Sequence, residues 1–261
     1  MSLNRAGVCA LGITAVLVFA PAAQAEVIPV DPGQKISVGK KITGSGQNLP
    51  SIDAAVPWDI GPGPASQVIS YYTSGEVARD QADVASAARK WTRQWIKREC
   101  GSTKPARVRD CKAAAVFDID DTLVSSFPLL SSATPSFSYD QAASNIAVAS
   151  CSKPVIEATK LLYHRLSKMG VAIFLLTGRP ATQRDETIAC LKSAGLSGWK
   201  ELILRPDGNT GSAASYKSLK RKGIEKKGWR IGPSIGDQVS DMSYGHLKHG
   251  FLVPNPMYYL P

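Results

Sequence analysis

Residues 113–126 read AAAVFDIDDTLVSS. Ala113 to Phe117 are five apolar residues in a row, the pattern of a buried strand. Asp118, Asp120 and Asp121 then crowd three carboxylates into four positions, ahead of Thr122 and the apolar pair Leu123 and Val124. Two carboxylates about 4 Å apart repel by roughly 4 kcal/mol at an effective dielectric near ~20. A chain that places such repulsion at the mouth of its own core calls for a compensating positive charge there.

Strand and helix signals alternate from this stretch onward. KPVIEATKLLYHRLSKMG, residues 153–170, has Pro154 near its start and Gly170 at its end, as a helix should. VAIFLL, residues 171–176, is a second buried strand, and ATQRDETIACLKSAG, residues 181–195, a helix with Ile188 and Leu191 inward. ELILR is a third strand and SYKSLKRKGIEKKG a further helix, with WRIGPSIG and GFLV as later strands. This alternation implies parallel pairing and an α/β domain of three α/β/α layers around a mainly parallel, Rossmann-like sheet. Upstream, Val77, Val84, Ala88, Trp91 and Trp95 recur at spacings of 7, 4, 3 and 4, so residues 75–99 form a helix with one face on the domain. Residues 26–74 are rich in Gly, Pro and Ser over most of their length and read as an extended or partly disordered lead-in to a domain over 75–261.

In open α/β sheets, ligands bind beyond the carboxyl ends of the strands. Three strand ends carry unusual chemistry: Asp118-Ile-Asp120-Asp121-Thr122, Thr177-Gly178-Arg179-Pro180, and Gly236-Asp237-Gln238-Val239-Ser240-Asp241. Any one of them could be a helix cap or a turn. Three on one sheet edge argue for a site. Asp118, Asp120 and Asp237 can converge on a hard cation such as Mg2+, which takes about six oxygen ligands and keeps several waters. A dianionic substrate would complete the coordination.

The pattern resembles the haloacid dehalogenase-type phosphohydrolases, through D-x-D-x-T at Asp118 to Thr122, the strand ending in Thr177, a lysine in SYKSLKR, and GDQxSD at Gly236 to Asp241. More narrowly it is similar to the secreted acid phosphatase family that includes plant vegetative storage proteins. FLLTGRP, YKSLKRKGIEKKGWRIGPSIGDQVSD and the terminal FLVPNPMYYLP carry that likeness, from about Val77 to Pro261. The resemblance implies an acid phosphatase acting on small phosphomonoesters, with a small cap insert at about 125–153. It implies Asp118 as nucleophile and Asp120 as general acid and base, its backbone carbonyl also on the metal. Thr177 and Gly178 would bind the phosphoryl group. Lys217 would neutralise charge shared by Asp118 and phosphate. Asp237 would ligate Mg2+ directly, with Asp241 behind it.

Other residues are less defined. Lys220 and Arg221 compete with Lys217, which is preferred because it follows Tyr216 as in the family. Asp121 stands where relatives often have Glu and reads as turning the loop. Arg179 could reach substrate or brace a loop. His246 and His249, three apart, invite a metal reading, but surface loop histidines are commoner. Phe127, Phe137 and Tyr139 are candidate walls of the insert, which lacks the Trp that relatives tend to carry there.

The first 25 residues form a unit of their own. Arg5, a short apolar run and Ala23 to Ala25 before Glu26 read as a cleavable signal peptide, too short for the ~20 residues of a membrane span. The mature chain is therefore expected to be exported, secreted or extracytoplasmic, with no span remaining. Cys9 leaves with the signal. Cys100, Cys111, Cys151 and Cys190 remain, an even number in an oxidising compartment, which suggests two disulfides. Three pairings are open. Cys100–Cys111, closing a basic loop, is preferred, which leaves Cys151–Cys190. No CxxC or close Cys/His spacing supports zinc.

The net charge of +10 concentrates in residues 216–230. It reads as a solvated helix face, since no nucleic-acid-binding motif accompanies it. Three rival functions share the chemistry. A phosphoaspartate receiver is disfavoured by the export signal, DxDxT and GDQxSD. A storage or phosphate-binding protein would use the same scaffold, and a phosphotransferase the same residues.

Overall fold

The computed structural model describes residues 65–260 in full and, before them, the backbone of short strands between residues 28 and 59. The signal-peptide reading falls outside the described residues.

The strands are β1 (Lys35–Val38), β2 (Lys40–Thr43), β3 (Ala113–Phe117), β4 (Ala172–Pro180), β5 (Glu201–Arg205), β6 (Arg230–Gly236) and β7 (His249–Leu252). They form one sheet in the order β1-β2-β7-β6-β3-β4-β5. Every pairing in it is parallel except β1 with β2. β3 lies inside the run of six parallel strands, between β6 and β4, and all five of its residues are buried. That explains its unbroken apolar run: it is covered on both faces.

The helices are α1 (Ala65–Thr73), α2 (Glu76–Glu99), α3 (Pro105–Asp110), α4 (Phe127–Ser131), α5 (Gln141–Ala149), α6 (Glu157–Lys168), α7 (Arg184–Ser193) and α8 (Ala213–Lys226). Two cores sandwich the sheet. Ala113, Ala115 and Phe117 join Trp95, Leu162, Leu166 and Leu191 from α2, α6 and α7. Ala114 and Val116 face the other way, to Tyr216 and Ile224 of α8. Alternate residues of one strand thus feed both layers. The molecule is a three-layer α/β domain.

Several elements depart from the sequence reading. The segment read as an extended lead-in contains strands β1 and β2 and helix α1. Backbone pairing of β2 with β7 extends the sheet. α6 begins at Glu157, later than Pro154 suggests, because Val155 bridges Val124 and the Ile156 N–H donates to the Leu123 carbonyl at 2.9 Å. Residues 125–153 contain two helices, α4 and α5, where the sequence reading placed a small insert without assigned elements. Phe137 is 1% exposed and packs with Val68, Leu130 and Met257. Phe127 stacks on Tyr72 of α1 with ring centroids 3.9 Å apart. These two aromatics fasten α1 to the insert. Tyr139 remains exposed.

The described residues contain disulfides Cys100–Cys111 and Cys151–Cys190, with Cα atoms 5.6 and 5.0 Å apart. The first ties α3 to the end of α2, and the second ties the end of the insert to α7. Among the described residues no helix is long and apolar enough to cross a membrane.

Candidate active site

β3, β4 and β6 are adjacent and parallel, so the residues after them emerge on one edge. Asp118 follows β3 directly, and its N–H donates to the Ile235 carbonyl of β6 at 2.9 Å. Asp237 follows β6. Asp241 returns to the same place through a 3-10 turn, Val239–Asp241. Its carboxylate accepts from the Gln238 N–H at 3.0 Å and folds back over Gly236. A Cβ on Gly236 would lie 2.2 Å from the Asp241 carboxyl carbon, so only glycine leaves room for this return. Asp118, Asp237 and Asp241 each offer an oxygen within 4.8 Å of the others, and all three are buried.

Lys217 enters from α8. Ala214, Tyr216 and Ile224 anchor that helix to the sheet, which turns Lys217 and Arg221 inward. The Lys217 ammonium donates to Asp118 at 3.0 Å and to Asp241. Arg221 donates to the carbonyls of Asp241 (2.8 Å), Gly245 (3.0 Å) and Ser243, and so holds the loop after β6. Lys220 lies 5.6 Å from the Tyr216 ring centroid. Of the three basic candidates, Lys217 is the one whose ammonium touches Asp118.

This cluster is short of positive charge. Burial pushes the Asp118 carboxyl well above the usual range. Lys217 opposes that shift, while Asp241, Asp237 and Asp120 add to it. Asp237 is raised to about 7 by burial and by Asp241 and Asp121, against hydrogen bonds from Asn255 and Gln238 at 2.7 Å each. Lys217 is held protonated: Asp118 and Asp241 outweigh its burial. Three buried carboxylates facing one ammonium are the donor set of a hard divalent cation. The residues present fit one: Asp118, Asp237 and Asp241 could hold it, whereas the Asp120 side chain is not part of this group.

Asp120 meets different surroundings. Arg179 Nε and Nη2 donate to its two carboxylate oxygens at 2.7 and 2.8 Å, a bidentate fork. Lys153 Nζ adds a third bond at 2.7 Å. Burial pushes the Asp120 carboxyl up, but Arg179 and Lys153 outweigh it and hold the group well below the usual carboxylate range. The remaining Arg179 nitrogen, Nη1, donates to Thr187 Oγ1 at 3.2 Å.

Thr177 is buried, and its hydroxyl oxygen accepts from the Arg179 N–H at 3.1 Å. Gly178 beside it is exposed, and a Cβ there would meet nothing within 4 Å. Asp121 adopts the left-handed region at φ 53°, which Asp tolerates better than most residues. Its carboxylate accepts from the Ser126 N–H and the Tyr258 hydroxyl, both at 2.7 Å, so it braces the loop against the C-terminal segment. Thr122 donates to Asp237 at 3.0 Å and joins the first and third strand-end motifs. The two loop histidines do not share a site. His246 pairs with Glu225 at 2.6 Å, while His249 is buried in β7 with its ring 5.1 Å from Trp91. The sequence reading placed both on a surface loop. The buried position of His249 comes from β7 starting one residue earlier than GFLV.

Sequence reasoning missed Lys153, Asn255, Tyr258 and Tyr72, and quoted Gln238 only as part of the GDQxSD stretch. Burial raises the Tyr72 hydroxyl pKa, and Asp121, Tyr71 and Asp237 add to the shift. No spacing rule links these residues to Asp118. The one signal was the family-like terminal stretch FLVPNPMYYLP, which contains Asn255 and Tyr258.

The family model for the HAD superfamily, subfamily IIIB (acid phosphatase), matches residues 40–261, and the chain belongs to that family. Among similar proteins are acid phosphatase 1 of Solanum lycopersicum, 35% identical over 148 residues, and vegetative storage protein 1 of Arabidopsis thaliana, 33% identical over 154. Each alignment takes in 56% of this chain and 58% or 55% of the relative, so the chain spans little more than half the length of these relatives. The fold is shared with a class C acid phosphatase from Bacillus anthracis whose structure has tungstate bound. That likeness has a TM-score of 0.58 at 18% identity and covers 76% of this chain and 87% of that one.

Proposed function

We propose that this protein is an exported, magnesium-dependent acid phosphatase that hydrolyses phosphomonoesters through an aspartyl phosphate on Asp118. The observation that carries the reading is the meeting of Asp118, Asp237 and Asp241 at two adjacent strand ends with Lys217 of α8. Lys217 touches the nucleophile and stands ready to share its charge with a phosphoryl oxygen. Thr177 and Gly178 lie beyond the neighbouring strand, where a hydroxyl and backbone N–H groups can take the transferring oxygens. Preorganised donors of this kind contribute a few kcal/mol each in the transition state. A bound Mg2+ would supply the positive charge that lets carboxylates and a phosphate dianion share one pocket. The two disulfides and the signal-like first 25 residues support export.

Asp118 attacks phosphorus and the ester oxygen leaves with a proton; water then attacks the aspartyl phosphate and releases phosphate. Asp120 serves both steps, as acid and then as base. Its ion pairs with Arg179 and Lys153 favour the ionised form, which suits the base. To act as acid, Asp120 gives up part of that clamp. The same clamp favours a second reading, a non-catalytic phosphate-binding or storage protein in which Asp120 stays sequestered.

A panel of phosphomonoesters assayed with and without magnesium, from acidic to neutral pH, tests both. Hydrolysis that stops on chelation and returns with magnesium is expected. Phosphate binding without turnover of any ester would establish the second reading, and products carrying phosphate on an added alcohol would reveal a phosphotransferase.

A further inference from the structure

A cavity of about 360 Å³ lies beside the candidate active site, near the lower end of the range for small-molecule sites. Val148, Leu191 and the Cys151–Cys190 bridge give it apolar walls. Its charged lining is Lys153, Lys160 and Arg179, with no acidic residue. Lys153 and Arg179 therefore belong to two places at once: they line the cavity and they hold Asp120.

The charges there do not balance. The Lys153 and Arg179 side chains are 8% and 7% exposed, and between them they have one carboxylate. Buried cations are costly unless each is paired. Among the described residues, Asp120 is the only ion-pair partner of the Lys153 ammonium, which has three protons to donate. Lys160 adds a third cation. Its partner Glu157 is 3.7 Å away with a side chain 75% exposed, a pair that compensates little. Asp121 acts on Lys153, and Asp118 and Asp121 on Arg179, only from beyond ion-pair distance, so among the described residues no second carboxylate meets these cations directly.

We infer that the cavity is the leaving-group pocket and that it selects phosphomonoesters whose alcohol portion is an apolar body carrying a second anionic group, such as a carboxylate. The inference rests on the phosphatase reading. In that reading Asp120 serves the leaving oxygen, so the alcohol portion extends toward Asp120 and the two cations that hold it. The apolar walls take the body of the alcohol. Lys153 and Lys160 take the anion. Arg179 is fully used by Asp120 and Thr187 and serves as the fixed wall between the two halves. The insert residues, delivered by the disulfide to α7, would thus act as specificity determinants.

The test compares 4-carboxyphenyl phosphate with its neutral isostere 4-carbamoylphenyl phosphate, whose phenol is at least as good a leaving group. A charge-assisted contact predicts a kcat/KM preference of about ten- to hundredfold for the carboxylate. The preference is read as a ratio within each protein, and it should fall toward unity in Lys160→Gln and in Lys153→Gln. Should Lys153→Gln fail to fold, Lys160→Gln and the parent ratio still decide. Equal turnover of the two esters by the parent protein would overturn the inference while leaving the phosphatase reading intact, as expected if the phosphoryl group itself neutralises the cations. Hydrolysis of neither ester, nor of phenyl phosphate, would instead remove the phosphatase reading on which the inference stands. A preference that persists unchanged in both variants would place the anion elsewhere and overturn the pocket assignment.

Discussion

Asp118 and Asp120 stand two residues apart and meet opposite surroundings. Around Asp118, three buried carboxylates share one ammonium. Around Asp120, two nearly buried cations share one carboxylate. The first cluster is rich in carboxylates and the second in cations. Backbone geometry separates them: Asp118 continues the central strand, whereas Asp120 lies beyond Ile119, whose side chain is buried in the core. The contrast shows that one motif can supply two electrostatic environments, because each carboxylate is read by the elements it faces and not by its neighbours in sequence.

The largest effect should come from Asp118→Asn. With the nucleophile removed, turnover should fall by about 10⁴-fold or more, with no phosphoenzyme. Steady turnover near the parent rate would end the mechanism proposed here. Asp120→Asn should lose about 10²–10⁴-fold, the usual contribution of a general acid–base group. With an aryl phosphate, whose leaving group needs little protonation, it should accumulate the aspartyl phosphate. Acid-quenched mass spectrometry of the peptide holding residues 113–126 should show the added phosphoryl group in Asp120→Asn and none in Asp118→Asn.

The same two substitutions sharpen the comparison in stability. Asp120→Asn leaves Arg179 and Lys153 without their counter-ion and should destabilise by on the order of 3 kcal/mol. Asp118→Asn relieves repulsion, so in chelated protein it should be neutral or stabilising. Denaturant midpoints of the two variants in EDTA measure this. Equal losses would mean that the two environments are not opposed.

Metal removal should act through pH. Without a cation, Asp237 keeps its proton up to about 7, against about 3.9 in an unfolded chain. Between those values the folded state binds the extra proton. This contribution to stability is full below about 4 and is lost as pH rises through about 7. Magnesium should therefore raise the melting temperature more at pH 8 than at pH 5. The difference amounts to a few kcal/mol at most, about 1.4 for each pH unit of the shift. A magnesium effect equal at both pH values would contradict it.

The smallest effect should come from the loop brace. Tyr258→Phe removes a hydrogen bond to the Asp121 carboxylate, a contact of the kind that contributes about 1.5–3 kcal/mol. Thermal unfolding should shift down while the Asp118 cluster keeps its magnesium response. An unchanged melting temperature would show that Asp121 does not depend on the C-terminal segment.

By itself the sequence determined strands β3 to β7 and the placing of their chemistry, but not β1 and β2. The apolar run Ala113 to Phe117, the helix periodicities and the three polar strand ends are local patterns, and parallel pairing sends all such ends to one edge. Asp118, Thr177 and Asp237 were legible for that reason, and Lys217 through its place after Tyr216. Only the tertiary structure decided the charge balance at that edge. Lys153 lies 33 positions from Asp120 and Arg179 lies 59, and nothing periodic connects them. Tyr258 reaches Asp121 from the far end of the chain, and Tyr72 comes from a helix inside what read as a lead-in. Long side chains such as Lys and Arg are free to turn to solvent or to a buried partner. Which they do depends on how distant elements pack, which a linear pattern does not carry.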